Sequence, residues 1–232
     1  MKKMTVLALL VAGIAFGGCS SGGGKSSALD ARWTGAGRSV AYKRFTAPTK
    51  WAPGQYVVMG NLYNGKRMSI NRYTVVRKEA GGWVFESIDT NDKGVQTGMQ
   101  MLIKGYERAI ATHDPSQIDL VWVKMLQEDG TIQMMEGEAL MIYRMTLKST
   151  WEKIILANDS YSKAGAVTVP AGTFAGTTTI TATTKILFKS LTQVSYLHPD
   201  VPIHGMVKAT DEKGSVYAEL LDYGFNGKPV IQ

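Results

Sequence analysis

Cysteine, histidine and long apolar runs are all scarce in these 232 residues, and each scarcity removes a class of chemistry. Cys19 is the only cysteine, so the chain cannot close a disulfide on itself and holds no Cys–His pair. The histidines are three: His113, His198 and His204. His198 and His204 flank a proline turn with Asp200 close by, a poor ligand set for a metal. No HExxH, nucleophile elbow or phosphate-cradling loop occurs. Glu136 and Glu138 share a strand parity, but a solvated edge explains them as well as acid–base work does. Lys and Arg (26) exceed Asp and Glu (19), yet they are scattered and leave no nucleic-acid footprint. The expectation is therefore no enzyme, no cofactor, no metal site and no nucleic-acid partner.

An apolar run does open the chain, at residues 6–16 (VLALLVAGIAF). It is shorter than the roughly 20 residues a membrane span needs and is interrupted at Gly13. Lys2 and Lys3 precede it and Gly17-Gly18-Cys19 follow, which is the layout of a bacterial secretory signal. The stretch Phe16-Gly17-Gly18-Cys19 resembles a lipobox, with phenylalanine where leucine is usual. Residues 1–18 are thus expected to be a signal peptide, Cys19 the lipidated N-terminus, 19–38 a tether and 39–232 one domain. The Gly- and Ser-rich start of the tether suits a flexible chain. Ser20 stands where aspartate would signal inner-membrane retention, so the expected place is the periplasmic face of the outer membrane, with surface exposure left open. The membrane partner is reached through acyl chains, which hold firmly when several act together. Residues 1–18 carry two lysines and no acid, so the net charge of +7 falls to +5 without them.

Beyond the tether, turn signals separate extended segments, as in antiparallel sheet. Residues 55–63 lead into Asn64-Gly65, a strong hairpin signal. Strands are expected at 67–78, 83–89 and 95–103, then at 118–126 and 131–136. Asp114-Pro115 marks a turn beside a short helix or loop. Residues 138–158 change period, with Leu140, Met141, Tyr143 and Met145 near its start, and predict an amphipathic helix. The rival there is a strand over 139–147 followed by a shorter helix. Strand patterning resumes at 167 and runs through Thr-rich 174–183 to a last hairpin across Glu212-Lys213-Gly214. The fold class expected is mainly β (α+β): a strongly curved antiparallel sheet or incomplete barrel covered by one or two helices.

Several phrases carry a resemblance. Residues 53–57 (PGQYV), 167–174 (VTVPAGTF), 201–208 (VPIHGMVK) and 219–224 (ELLDYG) resemble those of a group of bacterial envelope proteins. Their shape is similar to that of the lipoprotein-localisation carrier and receptor. The resemblance covers about residues 55–224 and implies an incomplete β-barrel with a hydrophobic cavity. Members often carry cysteine or another residue after the GTF phenylalanine; Ala175 stands there in this chain, which argues against a thiol role.

Two functions from different classes follow. One is binding of a lipid or other hydrophobic small molecule on the concave face of the sheet. The other is a structural or interaction lipoprotein that docks an envelope protein partner and fills its interior itself. For the first, the candidate wall is Trp83, Met99 and Met101 from the strands, with Met141 or Met145 from the covering helix. Unbranched, polarizable methionines suit variable acyl chains; the same residues also suit an irregular core.

Overall fold

The computed structural model describes residues 28–45, 50–112, 114–145, 161–186 and 189–232. The signal sequence, Cys19, the first part of the tether (20–27), His113 and the second half of the expected 138–158 helix lie outside the described residues.

The described chain is mostly β. After the short β1 (Arg38–Val40) come β2 (Tyr56–Tyr63), β3 (Lys66–Glu79), β4 (Gly82–Asn91), β5 (Gln96–Lys104), β6 (Asp119–Leu126) and β7 (Ile132–Met134). The second half adds β8 (Ser162–Ala164), β9 (Val167–Val169), β10 (Gly172–Phe174), β11 (Thr177–Ile186), β12 (Lys189–Leu197), β13 (Met206–Asp211) and β14 (Val216–Gly224). Two helices interrupt them, α1 (Tyr106–Thr112) and α2 (residues 137–145). Residues 139–145 are therefore helical, and the rival strand is excluded for that stretch.

Eleven strands form one antiparallel sheet in the order β7-β6-β5-β4-β3-β2-β14-β13-β12-β11-β8. In each half neighbours are consecutive in sequence, most joined by tight turns and β5 and β6 through α1; β8 is the exception, pairing with β11 across the intervening β9–β10 hairpin. At Asn64-Gly65 both turn residues have positive φ, 50° and 72°, as a two-residue hairpin demands. The halves meet where β14 pairs with β2, Leu220 opposite Met59 and Tyr223 opposite Val57. Among the described residues β7 and β8 end the order and do not pair, so the sheet is open rather than a closed barrel. The 167–174 hairpin forms, but in a separate three-stranded sheet in which β1 runs parallel to β10.

Both faces of the large sheet are covered. One, here the core face, carries the main cluster, including Val57, Tyr73, Phe85, Met101 and Leu220. On the far face, Leu29 and Trp33 pack with Ile70 and Leu221. Trp33 Nε1 donates to Glu219 Oε1 at 2.5 Å, and Arg67 bonds Asp30 at 2.7 Å while lying 5.1 Å from the Trp33 ring centroid. Residues 29–33 fall inside the stretch read as tether, yet they are packed on the sheet because Leu29 and Trp33 find an apolar patch there. Farther along the same face, fully buried Glu86 accepts from the backbone N–H of Val230 and Ile231 at 2.9 and 2.8 Å.

Candidate functional site

Trp83, Met99 and Met101 come together as expected. Pairing of β4 with β5 sets Trp83 opposite Ile103, Phe85 opposite Met101 and Ser87 opposite Met99. Alternation puts all six on one face, and all are buried. Across the next strand Met101 faces Val123 and Met99 faces Met125.

The cover over this wall comes from helices and loops. Tyr106, Ala109 and Ile110 share one face of α1 and pack on the strands. Trp83 Nε1 donates to Glu107 Oε1 at 3.2 Å, fastening β4 to α1. Trp51, from the loop before β2, stacks on Tyr106 (3.9 Å between centroids) and Phe85 (5.2 Å). From α2, buried Tyr143 brings its hydroxyl onto Met99 Sδ, while Arg144 Nε donates to Leu120 O at 2.7 Å. Burial pushes the phenols of Tyr73, Tyr106 and Tyr143 far above the usual range, so they stay protonated.

Met141 and Met145 do share a helical face, but it is the outward one: they are 55% and 68% exposed. Leu140 and Tyr143, three apart, hold the inward stripe. At 100° per residue, Tyr143 lies roughly 200° from Met141, so both cannot point at the sheet. Spacing alone says which residues share a face and not which face turns inward.

Beside the apolar wall, toward the Asn64-Gly65 turn, the core face becomes polar, which the sequence reading missed. Asn71 on β3 is directly opposite Asp89 on β4 and Met59 on β2. In the adjoining row, Asn61 Nδ2 donates to Ser69 Oγ at 3.0 Å, and Ser69 in turn bonds the Asp89 carboxyl. Burial raises the Asp89 pKa, with the Ser69 bond opposing. Asn71 is 2% exposed and its Oδ1 has no partner among the described residues. Two residues on, Tyr73 meets His204 edge-on, with centroids 5.6 Å apart. His204 Nδ1 accepts from Met206 N at 3.0 Å, which leaves the proton of the neutral ring on Nε2, and Nε2 is buried without a partner among the described residues. Burial holds the His204 pKa down to about 4. His198 is also buried, its ring nitrogens occupied by Asp200 N and Ala41 O.

No family model and no curated protein matches this chain. Among solved structures, a Bacteroides fragilis protein described as exported, with a YmcC-like fold, is similar at 11% identity and a TM-score of 0.33. The match covers 75% of this chain and 96% of that one. Among the described residues no helix is long and apolar enough to cross a membrane.

Proposed function

We propose that this chain is a lipoprotein, anchored through acyl chains on Cys19 at the periplasmic face of an outer membrane, whose sheet curves around a lipid or other apolar ligand without catalysing a reaction. The observation that supports the ligand reading is the make-up of the core face. Among the described residues, Asn71 Oδ1 and His204 Nε2 sit unpartnered beside an apolar wall. Each such atom costs about 1–3 kcal/mol. A face serving only its own packing would carry apolar residues there. The cover also suits entry: Trp51 and Tyr143 come from a loop and a helix, so they can swing aside with the ladder of β2–β6 intact.

The test uses membranes carrying the full chain, exposed to photoactivatable fatty acid and photoactivatable monoacylglycerol with the reactive group in the acyl chain. Labelling of the peptide holding Met99 and Met101 is expected, and Met101→Asp should abolish it, because an unpaired buried carboxylate is costly to desolvate. Absence of label on that peptide with both probes would overturn the reading. A second reading, docking of an envelope protein, is favoured by a different observation. Ile132 and Met134 are exposed on β7, at the end of the strand order, and Met141 and Met145 on α2. A partner strand added along β7 would cover the first two. Label confined to these residues, or a protein cross-linked there, would favour it.

A further inference from the structure

We propose that the end of the sheet carrying the Asn64-Gly65 turn rests on the phospholipid head groups of the anchoring membrane, held there by the shortness of the tether. This depends on the anchor reading above and adds the surface that meets the bilayer. Strand register puts four hairpin turns of the described residues at that end: Asn64-Gly65 after β2, residues 92–95 after β4, 127–131 after β6 and 212–215 after β13. The pairings of β14 with β2, β3 with β4 and β5 with β6 align them. The N-terminal segment leaves the sheet at the same place. Ala28 N donates to Asp92 O at 3.3 Å, and a Cβ at Gly94 would come within 3.6 Å of the Ala28 side chain. At the opposite end, Lys104 pairs with Gly82 and α1 begins directly after.

Two lengths decide which end faces the bilayer. The nine residues 20–28, fully extended, reach at most about 32 Å. The ten residues of β4 cover about 33 Å at roughly 3.3 Å each. To bring the α1 end to the membrane, the tether would have to be pulled taut along the whole strand. A taut chain has given up nearly all its conformational freedom, whereas the turn end touches lipid with the tether slack. The turn end also has the chemistry of a head-group contact. Lys66, Lys93 and Lys213 are exposed at the turns. The carboxyls of Asp129 and Asp211 fold back to accept from Thr131 N and from Lys213 N and Ser215 N. Among the described residues, Tyr63 and Ile132 are the large apolar side chains exposed there. Lysines and a tyrosine suit the polar layer of a bilayer, with the ring buried shallowly and the polar tips in water. Two separate apolar side chains are too few to insert this end into hydrocarbon.

The experiment exploits the single cysteine. A lipidated Cys19 has no free thiol, so one added cysteine gives one labelling site. The full mature chain carries Lys66→Cys, Lys93→Cys or Lys213→Cys at the turn end, or Lys78→Cys or Arg108→Cys at the opposite end. Glu138→Cys on α2 and Lys228→Cys on the C-terminal tail report the flanks. All seven positions are exposed, and each end has more than one, so a variant that fails to fold does not decide the result. Each is labelled with a fluorophore and reconstituted into phosphatidylcholine vesicles containing a lipid with a nitroxide on its head group. Fluorescence should be lost at the three turn-end sites and retained at Lys78→Cys and Arg108→Cys. Inserting about twenty Gly and Ser residues between Ser21 and Gly22 makes a long flexible coil and should restore fluorescence at the turn end. Equal quenching at both ends, strongest quenching at a flank site, or turn-end quenching that survives the insertion would each overturn the proposal and leave the anchor standing. Labelling of the chain with no added cysteine would mean a free Cys19 thiol and would remove the anchor reading as well.

Discussion

At the residue scale, Glu86 is the side chain with the clearest thermodynamic signature. A carboxyl with no exposed surface is tolerated only when its oxygens are bonded, and Glu86 accepts from Val230 N, Ile231 N and Gln100 Nε2. Burial still dominates and raises its pKa, with the backbone bonds pulling the other way. A folded pKa above the unfolded value means the folded state binds the proton more tightly. Its contribution to stability is then full below the ordinary value of 4.5 and is lost as pH rises through the folded pKa. Asp89 acts in the same direction. The Glu86 and Asp89 contributions to melting temperature therefore fall as pH is raised from about 4.5, while buried His204 and His198, with lowered pKa values, contribute an opposing rise toward pH 6.5. Glu86→Gln should remove its part of the fall, so that the variant gains melting temperature on the wild type as pH is raised, since an amide oxygen can still accept from Val230 and Ile231. Matching slopes for the two proteins would show that Glu86 does not carry the dependence.

At the scale of elements, the contact between residues 29–33 and β2 depends on one missing methyl. A Cβ at Gly60 would come within 2.5 Å of the Trp33 ring. Gly60→Ala should push the indole off the sheet, break its bond to Glu219 and expose residues 29–33 to protease while β2 and β3 stay paired. Unchanged cleavage there would mean that the segment is held by Leu29 and the Asp30–Arg67 pair alone. Much of the strand order was legible, because Asn64-Gly65, Ala80-Gly81, Asn91 to Gly94 and Glu212 to Gly214 need positive φ or side-chain bonding and announce themselves in sequence. The pairing of β14 with β2, the parallel β1–β10 contact and the inward face of α2 were not, since each depends on a partner far along the chain. Facing was also hard to read in β3. Ile70 goes to the far face and Tyr73 to the core face, and with both faces covered the apolar alternation that would separate them is weak. Trp83, Met99 and Met101 were readable from strand parity; the Asn71–Asp89 row becomes visible only once the register of β3 on β4 is known.

At the scale of the whole molecule, the sheet joins two meanders at β14–β2, and the proposed anchor is separate from both. Cys19→Ala should leave the fold unchanged while releasing the protein from membranes after a salt wash. Continued partition into the membrane fraction would mean that something other than the thiol holds it there. The packing of Leu29 and the bond from Ala28 N to Asp92 O also limit the leash. The ten residues 20–29 would join the proposed anchor to the sheet, and fully extended they span at most about 36 Å. With the thiol held in lipid, the whole protein is confined to a shallow hemisphere over its own membrane. Cargo would have to enter that hemisphere to be caught, and a receiver would have to come within the same radius to take it.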